Sequence, residues 1–274
     1  MSDRRLTPAN GRVAASYLRT THQAETYVDG ALVQVTTAVA DLLDKPDGRR
    51  ERQSLIGADL RRYEDRDGWS FVQGADGYVG YMRSAALGPI APTTHFVGTL
   101  ATHAYESESF KARDLMHLPF GAQVQVLAER HKFYETTLGY IPKKHLRPNE
   151  RPFTDPATVA QLHFGVPYLW GGNSTLGLDC SGLISAALGA CGIACAGDAD
   201  LQEAQLGVAL AADAPLMRGD IVFWKGHVGM MVDEATLIHA NAHHMAVVYE
   251  PINNAMLRIE TQGDGPVTSR KRLA

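Results

Sequence analysis

The chain has little cysteine: three residues in 274, Cys180, Cys191 and Cys195. An odd, small number in a chain of this length excludes a disulfide framework and fits a reducing compartment. Cys191 and Cys195 stand four apart, with no second pair and no histidine nearby. A zinc site wants more ligands than that, so both read as structural. No apolar run approaches membrane-spanning length, and no apolar stretch follows the charged start Met1-Ser2-Asp3-Arg4-Arg5. No membrane segment and no signal peptide are therefore expected, and the cytoplasm is the default location. A basic excess is missing too. The 26 Lys and Arg against 30 Asp and Glu leave a net charge of −4, which gives no footing for a nucleic-acid partner.

What is present centres on Pro167-Tyr168-Leu169-Trp170-Gly171-Gly172, followed by Leu178-Asp179-Cys180-Ser181-Gly182-Leu183. A glycine-rich loop here runs into a helix that begins at Cys180. Leu183, Ile184, Ala187, Leu188 and Cys191 fall on one helical face, and Gly192 supplies a stop. Asp179 is a natural N-cap. Cys180 then sits at the end where unpaired N–H groups and the positive end of the helix dipole converge. That position should lower the thiol pKa below its free value of about 8.5. The same N–H groups are placed to hold an oxyanion.

Before this centre the chain reads as an arm over residues 1–28, with a short helix expected across Val13 to Leu18. Two stretches of short strands follow, over 29–90 and 91–148, the first with a turn at Lys45-Pro46-Asp47-Gly48. They look like repeats. Leu55-Ile56-Gly57-Ala58 matches Pro119-Phe120-Gly121-Ala122, Trp69 matches Phe133, Gly80-Tyr81 matches Gly139-Tyr140, and Leu87 matches Leu146. Two small β-barrels are expected. A Pro- and charge-rich linker, 147–152, leads to a helix over Asp155 to His163, whose face is expected at Thr158, Val159, Leu162 and Phe164. Asp198 to Leu206 is a further helix. Strands over Ile221–Trp224, His227–Val232, Thr236–Asn241 and Ala246–Tyr249 complete an α+β domain over 149–274.

The histidines lie in those strands. A hairpin centred on Asp233 pairs His227 directly with His239; one centred on Glu234 sets Asn241 opposite His227. Either arrangement gives His227 a polar neighbour that fixes its tautomer. A cysteine, a histidine and a polar orienter are the parts of a thiol acyl-transfer site. His243 and His244 read as solvated loop residues. His239 and His243 are four apart, but on strand and loop rather than on one helix, so no metal site is expected.

These residues resemble the NlpC/P60 family of papain-like cysteine peptidases. The likeness rests on Pro167 to Gly172, Asp179 to Gly182, Gly219 to Phe223, His227 to Gly229 and Ile238 to Ala240. The strand-rich repeats resemble bacterial SH3 (SH3b) domains. The resemblance implies a multidomain chain, two small all-β SH3-like barrels followed by an α+β papain-like catalytic domain. It implies Cys180 as nucleophile, His227 as general base and acid, His239 as the orienting member, and Tyr168 as an oxyanion donor. Asp179 and Ser181 would bind the amine of an N-terminal L-alanine, and Trp170 would line the substrate site. Members with two such barrels cleave peptidoglycan-derived peptides of the form L-Ala-γ-D-Glu-diamino acid, and need no cofactor. By the same likeness Tyr78 and Glu51 become candidates for the alanine end, although Ala58 stands where members often carry an acidic residue. A related acyltransferase, or a wall-binding protein without turnover, are the alternatives on the same scaffold.

Overall fold

The structure, a computed structural model, describes residues 3–273. The chain divides into two compact units, Met1–Asn149 and Glu150–Ala274.

The first unit is built from strands. Ala31–Val35, Val39–Leu43, Arg50–Leu55, Asp59–Arg66, Trp69–Gln73, Val79–Arg83 and Leu87–Gly88 form one seven-stranded antiparallel sheet. Asp47 takes a positive φ at the turn joining Val39–Leu43 to Arg50–Leu55, where the sequence places it. Beyond His95 a three-stranded and a five-stranded sheet form a second lobe.

Hydrogen bonding repeats between the lobes. The Gly57 N–H donates to Val35 O, and the Gly121 N–H donates to Val97 O. Leu87 pairs with Val35, and Leu146 pairs with Val97. Ile56 reaches from the first lobe into the apolar cluster of the second, among Val97, Leu118, Val124 and Ile141. The matched glycines thus sit at matched turns.

The expected helix over Val13 to Leu18 is a correction. Val13–Ala15 is a strand that pairs in parallel with Thr26–Val28, and Ser16–Leu18 is a single 3-10 turn. Six residues are too few to offset the cost of nucleating a helix. Burying Ala14 and Ala15 decides the local structure instead.

Among the described residues, the second unit packs four helices on a six-stranded antiparallel sheet and adds a two-stranded one of Asn173–Ser174 and Gly177–Leu178. The helices are α1 (Pro156–Leu162), α2 (Cys180–Gly189), α3 (Ala199–Gln205) and α4 (Ile252–Thr261). The sheet runs in the spatial order Val208–Ala209, Ser269–Arg272, Ile221–Trp224, His227–Met231, Thr236–Asn241, Ala246–Pro251. Val222, Trp224, Met231 and Leu237 cluster with Ile252, Ala255 and Ile259 of α4. Their alternates Ile221, Phe223, Val228, Met230 and Ile238 are equally buried, so both faces of the sheet are covered.

α1 buries only part of the face its sequence implies: Val159 is buried as expected, whereas Thr158 is exposed. Ala157, Val159, Ala160 and His163 are buried, while Leu162 and Phe164 are exposed. Small Ala157 and Ala160 let α1 lie close to α2. Phe164 stacks instead on Tyr249 at 5.1 Å between ring centroids. α2 is central: Leu183, Ile184, Ala187 and Leu188 are fully buried. Its end follows the expected glycine. The Ile193 N–H donates to Leu188 O and the Gly192 N–H to Gly189 O, with Gly192 at φ 73°. Both bonds belong to a Schellman cap, which needs a left-handed residue at that position.

Candidate active site

The loop before α2 is held from two sides. The Tyr168 N–H donates to Met245 O, and the Leu169 and Leu178 amides close a bridge across Pro167 to Leu178. Asp179 then caps α2. Its Oδ1 accepts from the Gly182 N–H at 2.6 Å and from the Ser181 hydroxyl at 2.9 Å, and its Oδ2 accepts from the Gly171 N–H at 3.0 Å. One carboxylate therefore fixes both the helix start and the glycine turn. α3 braces the same point, where the buried Gln202 Nε2 donates to Ser181 O at 3.0 Å.

Cys180 opens α2 and is 8% exposed. Its thiol lies 4.0 Å from Gly226 O, one residue before His227, and the backbone N–H groups of Val228, Ser181 and Cys180 favour its charged form. The sheet side brings a chain of side chains. His227 Nε2 lies 2.9 Å from His239 Nδ1, and His239 Nε2 lies 3.0 Å from Glu250 Oε2. Arg258 of α4 closes the chain, with Nε at 2.9 Å from Oε1 and Nη2 at 2.7 Å from Oε2. Asn241 Nδ2 lies 3.0 Å from His239 Nε2.

The strand register is the second of the two alternatives. Met230 pairs with Ile238 and Met231 with Leu237, which sets Asn241 opposite His227. His239 still meets His227, by a diagonal contact. Of the two possible orienters, His239 touches His227 and Asn241 touches His239.

Burial sets the protonation. It pushes the Cys180 thiol up to about 12, and the Asp179 carboxylate adds to the effect. Burial likewise brings His227 down to about 3, assisted by the positive charge His239 would carry and by Arg258, against the pull of Glu250. The expected lowering of the thiol pKa is therefore overturned. N–H groups at the helix start do favour the thiolate, but loss of water and a carboxylate one residue away outweigh them. Both shifts favour the uncharged forms of the two groups.

Tyr168 is half-buried, and its phenol is raised first by burial and then by the charges of Cys180 and Asp179. Trp170 is 70% exposed on the same loop. Tyr78 and Glu51 belong to the first unit. Tyr78 is 2% exposed with the Arg52 guanidinium over its ring, and Glu51 is paired with Arg4. Among the described residues no cluster of three or more His, Cys, Asp or Glu is arranged to hold a metal ion. None of the helices among those residues is long and apolar enough to cross a membrane.

Reading the sequence missed Glu250 and Arg258. Each carried a signal: a carboxylate in an otherwise apolar strand, and an arginine three residues after Ala255 on the buried stripe of α4. Two opposite charges on faces that should be apolar invite pairing.

A sequence profile of the NlpC/P60 family matches residues 165–264, and one of the bacterial dipeptidyl-peptidase Sh3 domain matches residues 42–87. The chain thus carries an NlpC/P60 domain, of a cysteine peptidase family, and a bacterial SH3 domain ahead of it. It is 28% identical over 173 residues to dipeptidyl-peptidase 6 of Lysinibacillus sphaericus, across 63% of this chain and 45% of that protein. It is 26% identical over 238 residues to a gamma-D-glutamyl-L-lysine dipeptidyl-peptidase of Bacillus cereus, across 74% of this chain and 71% of that protein. The match thus spans less than half the length of the first of these relatives. A solved NlpC/P60 family protein from Bacillus cereus ATCC 10987 shares the fold, with a TM-score of 0.73 at 20% identity, covering 89% of this chain and 99% of that one.

Proposed function

We propose that this chain is a cysteine peptidase that hydrolyses the γ-D-Glu–diamino acid bond of peptidoglycan stem peptides bearing a free N-terminal L-alanine. The observation that carries the reading is the 2.9 Å bond between His227 Nε2 and His239 Nδ1. Among the described residues it leaves His227 Nδ1 without a hydrogen-bond partner, on the residue next to the carbonyl that Cys180 touches. The names of the two relatives support the substrate class. On this reading the second lobe, with its matched turn and strand pairings, is a second SH3-like barrel.

The Cys180 sulfur attacks the γ-carbonyl carbon while its proton passes to His227 Nδ1. The oxyanion that forms is held by the Cys180 N–H and the Tyr168 hydroxyl. His227 returns the proton to the leaving amine, which departs and leaves a thioester on Cys180. Water then attacks the thioester carbon, its proton goes to His227 and on to sulfur, and L-Ala-D-Glu leaves. Asp179 and Ser181 face the substrate ammonium group, and Trp170 lines the approach. No step calls for a cofactor.

The experiment is mass spectrometry of the purified protein with free L-Ala-γ-D-Glu-diaminopimelate, the lysine tripeptide, and the N-acetylmuramyl form. Release of L-Ala-D-Glu from the free peptides, abolished in Cys180→Ala, is expected. Cleavage of the muramyl form as well would remove the free-amine restriction. Cleavage surviving Cys180→Ala would overturn the mechanism.

A further inference from the structure

We infer that the part-buried Glu250–Arg258 ion pair is a positioning device that fixes the tautomer of His239 and, through it, the nitrogen that His227 offers to the thiol. The inference deepens the peptidase reading and rests on it. His239 is fully buried, so each of its ring nitrogens must be satisfied within the protein. Two groups compete for Nε2. One is the Glu250 carboxylate at 3.0 Å, which only accepts, and the other is the Asn241 amide nitrogen at 3.0 Å, which only donates. The Asn241 amide cannot turn over without cost, because its oxygen accepts the His244 N–H at 2.8 Å. Whichever partner wins sets where the His239 proton lies.

Arg258 decides the contest. Its two bonds to Glu250 keep that carboxylate charged and aimed. A charge-assisted bond is roughly twice as strong as a neutral one. The proton therefore stays on His239 Nε2, and His239 Nδ1 is left bare. A bare Nδ1 must accept, so His227 donates from Nε2. The lone pair of His227 then lies on Nδ1, where a base for the thiol is needed. Without the ion pair, Asn241 would donate to His239 Nε2. The proton would move to His239 Nδ1, His227 Nε2 would become the acceptor, and the His227 proton would shift to Nδ1. The imidazole would then meet the thiol with a proton rather than a lone pair. Glu250 touches no reacting atom; it acts through two histidines.

The test compares the wild-type full chain with the double variant Glu250→Leu/Arg258→Leu, which replaces the pair without leaving one charge stranded. Long-range proton–nitrogen NMR of the histidine rings reads the tautomers directly. The wild type is expected to show Nε2–H on both His227 and His239, and the double variant Nδ1–H on both. On the tripeptide, kcat is expected to fall at least about 100-fold with KM within about twofold. Arg258→Lys, which keeps the cation, is expected to hold the wild-type tautomers. Unchanged tautomers in the double variant, or an unchanged kcat beside an active wild type, would overturn the inference. An inactive wild type with the expected tautomers would instead sink the peptidase reading and leave this one standing. If the double variant fails to fold, the wild-type spectrum still decides, since Nδ1–H on His239 contradicts the argument outright.

Discussion

A methyl group on Gly182 would lie 2.2 Å from the carbonyl oxygen of Gly172. The glycine turn and the first turn of α2 are thus in backbone contact, and that contact sets where Cys180 points. Gly182→Ala forces the two apart. Overpacking of this kind costs ~1–3 kcal/mol. The expected result is a lower urea midpoint together with a loss of turnover larger than the stability change explains. Wild-type turnover in a folded Gly182→Ala protein would show that the contact does not position Cys180.

The resting thiol is predicted to be inert. Held up to about 12, Cys180 carries roughly three orders of magnitude less thiolate at neutral pH than a free thiol of pKa about 8.5. Site-resolved mass spectrometry of iodoacetamide labelling reads this. Alkylation of Cys180 should be slow at pH 7 and should still be rising beyond pH 9. A plateau from acid to neutral pH would mean a preformed thiolate–imidazolium pair.

How much of this was visible in the sequence follows from locality. α2, its Asp179 cap and its Gly192 stop are written in contiguous residues, and the structure has them where the spacing puts them. The turn at Asp47 was legible for the same reason. Harder to see was the face of α1, because small Ala157 and Ala160 pack against another helix and leave the larger Leu162 and Phe164 outside. The hairpin register turned on a single residue, Asp233 or Glu234, and sequence offered no way to choose. Thiol protonation was less legible, because the helix end is a local feature, whereas burial is a property of the whole unit. Glu250 and Arg258 belong to no motif and meet only when α4 folds over the sheet.

Acid is predicted to unfold the catalytic unit early. Burial lowers the pKa of His163 against its bond to Val159 O, and lowers His227 to about 3 and His239 as well. The unfolded chain protonates histidine near pH 6.5. Below that pH unfolding takes up protons, so stability falls as pH falls from about 6.5 toward 3. Glu250 adds to the loss at lower pH. Its burial favours the neutral form, but bonds from His239 and Arg258 hold the carboxyl far below the usual range. Urea midpoints at pH 7, 6, 5 and 4 should decline steadily, and less steeply in His163→Leu. A flat series would mean that these histidines are not neutral in the folded state.

Asp179 has two claims on it, and one substitution separates them. As a cap, its Oδ1 serves the Gly182 N–H and the Ser181 hydroxyl, while Oδ2 holds the Gly171 N–H. As an amine reader, it supplies negative charge to the N-terminal L-alanine. Asp179→Asn keeps an oxygen for the cap, and Asn caps a helix about as well as Asp. It removes the charge and the bond to Gly171, a stability loss of ~1 kcal/mol. A lost charge-assisted bond to the substrate ammonium is worth ~1.5–3 kcal/mol, or roughly a tenfold to hundredfold rise in KM. That rise should appear in KM for the free tripeptide, with kcat changed far less. The thiol should become easier to ionise, since the Asp179 charge contributes to holding it protonated. Iodoacetamide labelling of Cys180 should accordingly quicken in the variant at fixed pH. If KM for the free tripeptide stays unchanged while labelling quickens, the carboxylate caps the helix and reads no amine.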